Sequence, residues 1–262
     1  MCLLVFALRS HSCYDLVLAA NRDEYYDRPA EPASWWPDAP HLLSGRDLKG
    51  GGTWLGITKG GLLGAITNYR DPKSSKVGAR SRGLIVREFL LGGHDPESYL
   101  EWLKPRAGSY NGFNLLIGIR DRVFWYSNVE ADYFELEPGI YGLSNSLLDT
   151  PWPKVDRAKQ LLAGLLENCR EIPEQKLFEI LADRAIPDDR DLPDTGVGLE
   201  RERILSPIFI RSPGYGTRCS TVILIDREGR TTFVEKTFEP ATRGSESRKY
   251  EFQIEGRHAN LS

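Results

Sequence analysis

Met1-Cys2-Leu3-Leu4-Val5-Phe6-Ala7-Leu8, answered after a short polar stretch by Asp15-Leu16-Val17-Leu18-Ala19-Ala20 and then Asn21-Arg22-Asp23-Glu24, decides how this chain is read. Two short apolar runs separated by polar turn material predict two core strands of a hairpin. Pairing Leu8 with Asp15 in an antiparallel register sets Asn21 opposite Cys2, to within about two residues. The charged tetrad is thereby delivered to the neighbourhood of Cys2.

A cysteine behind the initiator methionine becomes the N-terminal residue once Met1 is removed. Its α-amine, with an ordinary pKa of about 7.7 to 8.0, then acts as a base for its own thiol without a recruited histidine. An arginine nearby depresses a thiol pKa, and an aspartate orients an α-ammonium, so Arg22 and Asp23 suit such a nucleophile. The plainer alternative is a small buried thiol opening a core strand, beside a solvated charged strand end.

The tetrad Asn21-Arg22-Asp23-Glu24 and the preceding Met1-Cys2 resemble the NRDE family, to which the Transport and Golgi organization protein 2 group belongs. The resemblance continues through Gly51-Gly52-Thr53-Trp54-Leu55-Gly56, Thr67-Asn68-Tyr69-Arg70, Gly142-Leu143-Ser144-Asn145-Ser146 and Tyr215-Gly216-Thr217-Arg218, which is nearly the whole chain. It implies an N-terminal nucleophile (Ntn) hydrolase-like fold and a part in haem trafficking or in lipid and acyl-CoA handling. A more distant similarity links these segments to cysteine Ntn amidases such as the bile-salt hydrolases and penicillin V acylases. That similarity implies Cys2 as nucleophile, Arg22 and Asp23 as its polar support, Asn68 as a backbone donor, Asn145 as a side-chain donor and Arg218 as a late active-site arginine. The order of the tetrad departs from those amidases, which place arginine ahead of asparagine, so the division of labour among Asn21, Arg22 and Asp23 stays open.

Donors of this kind have a definite use. Attack on an amide or thioester carbonyl creates an oxyanion, and losing one preorganised N–H donor costs on the order of 10² to 10³ in rate. An asparagine after a strand also closes turns, and both Asn68 and Asn145 admit that reading.

Composition bounds the remaining possibilities. At 262 residues and 40% hydrophobic, the chain is long and apolar enough to bury about three quarters of its extended surface. A formal net charge of -3 makes no electrostatic case for nucleic acid or for an anionic membrane surface. The first apolar run is too short for a membrane span and has no basic segment before it, so cytoplasmic residence is expected. Cysteines at 2, 13, 169 and 219 are too scattered for a disulfide framework, and no Cys-x-x-Cys or His-Glu-x-x-His pattern predicts a metal. The triple glycine 50–52 is no phosphate loop, because the Gly-Lys-Ser/Thr ending and a following helix are missing.

Further along, residues 29–40 read as a proline-rich loop carrying Trp35 and Trp36, either packed over the core or acting as a ligand lid. Residues 53–58 and 61–68 predict a glycine-turned hairpin, and 113–119 with 123–126 another. Helical spacing appears at 81–91, 96–103, 153–166 and 173–185. Strands follow at 220–226 and 231–238, then a polar tail over 241–262. Strands at both ends with helices between them predict an α+β fold, a four-layer αββα sandwich forming a single domain over 1–262.

The leading functional expectation is a cysteine hydrolase of the Ntn type acting on a small amphipathic amide or thioester, with no cofactor or metal. Its rival is a non-catalytic haem or acyl-CoA carrier on the same fold, with Cys2 structural or a weak iron ligand and His41 or His94 contributing. A third reading is a degenerate fold kept for protein contacts.

Overall fold

The computed structural model describes residues 2–120, 122–239 and 244–255, and of Cys2 the backbone alone. In chain order the strands are β1 (Cys2–Leu8), β2 (Tyr14–Tyr25), β3 (Ala30–Trp36), β4 (Ala39–Asp47), β5 (Leu55–Thr58) and β6 (Leu62–Asn68). Helices α1 (Gly83–Gly92) and α2 (Pro96–Leu103) precede β7 (Phe113–Ile119), β8 (Arg122–Ser127), β9 (Asp132–Glu135) and β10 (Gly139–Leu143). After α3 (Pro153–Asn168), α4 (Glu174–Leu181) and α5 (Leu199–Leu205) come β11 (Arg211–Ser212), β12 (Tyr215–Asp226), β13 (Arg230–Phe238) and β14 (Ser245–Gln253).

The strands form two antiparallel sheets. One runs β10-β1-β2-β12-β13-β14 with β11 beside β12, and the other runs β3 to β9 in sequence order. Side chains alternate across each strand, which divides the core into layers. Leu4, Phe6 and Leu8 of β1 and Leu16 and Leu18 of β2 face the second sheet, where Leu63, Leu116 and Trp125 meet them. Leu3, Val5, Ala7, Val17 and Ala19 face the other way, onto Val155, Ala158 and Leu162 of α3 and Leu177 of α4. Behind the second sheet, Ile66, Leu115 and Ile117 pack on Val86 and Phe89 of α1 and Leu100 of α2. The result is the four-layer αββα sandwich. Strands covered on both faces carry continuous apolar runs, which is why residues 3–8 and 16–20 do not alternate.

Two expectations are corrected. The stretch around Trp35 and Trp36 is the hairpin β3–β4, with Trp36 2% exposed in the core. Its prolines are tolerated because β3 is an edge strand whose register shifts between Glu31 and Ser34, where Pro32 sits. The polar stretch after Pro240 also contains structure: β14 pairs with β13 over its whole length. It reads as a tail because an edge strand is half solvated and charged, yet Tyr250 and Phe252 meet Trp35 edge-on and Ile254 is 3% exposed.

Ending the chain at Glu239 removes those three side chains from the core. Stability should fall on the order of 5 kcal/mol, read as a lower urea midpoint. A truncated chain as stable as the full one contradicts the role given to β14.

Candidate active site

Strand β2 is flanked by β1 and β12, and its end carries the tetrad. The register is one residue from that expected: Leu8 pairs with Leu16, and the backbone of Cys2 pairs with Arg22 instead of Asn21. A one-residue slip exchanges the two faces of a strand, so it decides which tetrad member shares the cysteine's face. Asn21 faces the helices, where its amide donates to the carbonyls of Leu181 and Ile208 at 2.9 Å each and accepts from Ser220 Oγ at 2.6 Å. It is a saturated structural amide that ties α4 to the sheet.

Arg22 faces the space between the sheets. It is 6% exposed and its guanidinium lies 4.1 Å from the ring centroid of Trp54. Among the described residues it has no hydrogen-bond or ion-pair partner. Asp23 is buried too, and Thr217 Oγ1 donates to its Oδ1 at 2.7 Å. Burial pushes the Asp23 carboxyl above its ordinary range, against the pull of Lys154, Thr217 and Arg70.

The two asparagines come together from distant segments. Asn68 ends β6, and its carbonyl accepts a 2.9 Å hydrogen bond from Asn145 Nδ2, just past β10. The Asn145 carbonyl in turn accepts from the backbone N–H of Arg70 at 2.7 Å. One N–H of the Asn145 amide is thus spent on positioning, and an amide nitrogen carries two.

Arg218 stands apart. It occupies the bulge between Thr217 and Cys219, and its Nη1 donates to the carbonyls of Tyr25 at 2.7 Å and Arg28 at 3.0 Å. Burial and then the charge of Arg22 hold its pKa below the usual arginine value. Its visible work is bracing the turn between β2 and β3.

Arg22, Asp23, Trp54 and Asn68 line one cleft of about 330 Å3 between the sheets. On its rim Asp47 organises the loop before β5, accepting from the N–H groups of Lys49 and Gly50 at 3.1 and 3.0 Å and from Arg28 Nη2 at 2.7 Å. Burial opposes ionisation of Asp47, but Arg28 and Gly50 outweigh it and hold the carboxyl below its ordinary range. The far wall is the start of α1. A Cβ placed on Gly52 falls 2.2 Å from the carbonyl carbon of Gly83, so the two backbones touch directly. A larger hollow of about 620 Å3, lined by Leu91, His94, Tyr99 and Trp102, lies on α1 and α2 and includes none of the expected site residues.

Several buried charges beside the cleft carried no individual signal in the sequence. Arg70, within the quoted motif 67–70, pairs with Glu202 at 2.6 Å, both side chains being at most 5% exposed, and lies over Trp152. Lys154 donates to the Leu205 carbonyl at 2.9 Å. Glu235 sits between the sheets, accepting from the Ala33 N–H at 2.6 Å. Burial pushes its carboxyl up, against that N–H, Cys219, Thr221 and the charge of Arg22. Among the described residues no group of three or more histidine, cysteine or carboxylate side chains is placed to hold a metal.

Residues 1–240 match the family model described as Transport and Golgi organisation 2. The chain is 40% identical to the Transport and Golgi organization protein 2 homolog of Bos taurus, covering 90% of this chain and 93% of that one. Transport and Golgi organization protein 2 of Drosophila melanogaster is 31% identical over 90% of this chain and 92% of its own. In fold the chain is similar to the mutant C2A conjugated bile acid hydrolase from Clostridium perfringens, with a TM-score of 0.54 at 11% identity over 99% of this chain and 100% of that one. Penicillin V acylase from Agrobacterium tumefaciens gives 0.50 at 10% identity, over 96% and 86%. The αββα architecture is therefore that of the Ntn hydrolases.

Two outcomes follow. Asn21→Ala orphans two buried carbonyls and should lower stability by on the order of 2–4 kcal/mol, measured by denaturant titration; a change below about 1 kcal/mol contradicts the structural role. The raised Glu235 pKa means the folded chain binds that proton more tightly than the unfolded one. The stability it contributes is complete below the unfolded carboxylate pKa of about 4.3 and is lost as pH rises through the higher folded value. Glu235→Gln should therefore gain in Tm relative to the parent as pH rises from about 4 to 8, and parallel curves would contradict this.

Proposed function

This chain belongs to the Transport and Golgi organisation 2 family, and from that premise we propose that it is a cysteine hydrolase that cleaves a small acyl amide or thioester. The observation that carries the reading is the pairing of the Cys2 backbone with Arg22, whose buried guanidinium is unpartnered among the described residues, at a cleft lined by Asn68, whose carbonyl is held by Asn145. The fold shared with conjugated bile acid hydrolase and penicillin V acylase supports it.

In this reading Met1 is removed and Cys2 becomes the first residue. Its Sγ attacks the carbonyl carbon, and the thiol proton passes through the α-amine to the leaving amine or thiol. The acyl group remains on Sγ as a thioester until water, deprotonated by the same amine, releases it as a carboxylic acid and restores the thiol. The field of Arg22 stabilises the thiolate without a direct contact, Asp23 and Arg70 set the field around the amine, and Arg218 holds the β2–β3 turn. The second N–H of Asn145 and the backbone at Asn68 face the oxyanion. The ligand is small and amphipathic.

The test uses protein whose loss of Met1 is verified by intact mass. Cys2→Ala should abolish hydrolysis of acyl thioesters and N-acyl amino acids while ligand binding survives, and Asn145→Ala should lower kcat/KM by on the order of 10² to 10³. Saturable haem binding with no hydrolysis by processed protein would sink the hydrolase and install the carrier. That carrier receives little help from His41 and His94, which are exposed and do not line the cleft.

A further inference from the structure

One part of the cleft lining joins Lys49 and Gly50 to Arg80, Ser81 and Arg82, which lead into Gly83. Gly83 opens α1, a helix of ten residues with no acidic side chain in its first turn and no side-chain cap at its N-terminus. No side chain therefore offsets the positive end of its dipole, although the N–H groups of Leu84 and Ile85 are taken by the carbonyls of Ser81 and Arg82 at 3.2 and 3.0 Å. A Cβ on Gly50 would lie 2.5 Å from Ser81 Oγ, so the glycine turn closes tightly on this helix start. The sequence lacks a helix directly after the triple glycine; the fold supplies one from residues further along.

The helix terminus is joined by an independent feature. Arg22 lines the same cleft, is more than nine-tenths buried, and among the described residues has no hydrogen-bond or ion-pair partner for its guanidinium. Burying a cation without a counter-ion is costly. Glu235 and Asp47 feel the charge of Arg22, but neither comes within ion-pair distance of the guanidinium. Five basic side chains line the cleft against three acidic ones, and two of those acids, Asp47 and Glu24, are engaged by Arg28 at 2.7 and 3.6 Å. Lys49 likewise has no side-chain partner among the described residues.

We propose that this part of the cleft, formed by Arg22, Lys49, Arg80 and the N-terminus of α1, is an oxyanion-binding subsite for the phosphate or carboxylate of the ligand. The guanidinium fork of Arg22 takes two oxygens of the group side by side, Lys49 closes over it from the rim, and Arg80, which pairs with exposed Glu88 at 3.4 Å, adds its charge beside the helix start. The subsite stands without hydrolysis. Calling its occupant the headgroup of the substrate rests on the hydrolase reading above, and makes that substrate an anionic acyl amide or thioester instead of a neutral one.

The experiment titrates the full chain with inorganic phosphate and, separately, with acetate at constant ionic strength in chloride, by calorimetry. Saturable binding is expected, weakening with added salt. Lys49→Ala and Arg80→Ala should each weaken it several-fold, and Arg22→Leu should weaken it by at least about tenfold. Both rim positions are exposed, so the double variant Lys49→Ala/Arg80→Ala carries the test if Arg22→Leu does not fold. Preference for phosphate or for acetate assigns the headgroup chemistry, and either upholds the subsite. No saturable binding of either anion, or binding that the double variant leaves unchanged, overturns it. Anion binding by a chain that hydrolyses nothing retains the subsite and removes the hydrolase. Equal hydrolysis of neutral and anionic acyl amides, with no anion binding, does the reverse.

Discussion

Everything in this molecule depends on the alternation of side chains along β2. The strand is paired on both edges and covered on both faces, so each residue has one neighbour layer and no alternative. Its apolar residues divide between the second sheet and the helices, and the tetrad inherits that division. Asn21 falls on the helix side and becomes a fastener, while Arg22 falls on the sheet side and becomes an unpaired charge facing the cleft. A slip of one residue would exchange those fates and bury the guanidinium against α4.

The buried charges form a second, dependent layer. Arg70 with Glu202, and Lys154 with the Leu205 carbonyl, surround Asp23 without an apolar substitute. Desolvating such groups seldom stabilises a fold. Their concentration around one end of β2, and not throughout the core, fits a site in which the field at a few atoms matters more than the energy of the ensemble.

Much of this was legible in the residues alone, for identifiable reasons. Continuous apolar runs announce strands covered on both faces, and prolines at 96 and 153 mark helix starts. Asn68 and Asn145 were found as members of motifs, and the fold brings them within one hydrogen bond. What was not legible was long-range. Nothing local distinguishes a register of Leu8 with Asp15 from one with Leu16, and nothing in the polar run at 245–253 announces that β13 needs a partner. Arg70 stood inside a quoted motif, yet its counter-ion lies in α5, far along the chain, so pairing gave it no sequence signal.

Contact between Gly52 and Gly83 has a consequence for how this architecture diversifies. Because the two walls meet through main chain, the gauge of the slot is independent of the side chains that furnish it. Exposed positions such as 49 and 80 can be exchanged to suit different ligands while the aperture keeps its width. A methyl group at Gly52, by contrast, would act like a wedge against the main chain of Gly83, altering the opening for every ligand at once. Selectivity and calibre are thus separately inherited in this chain, one by its side chains and the other by a missing one.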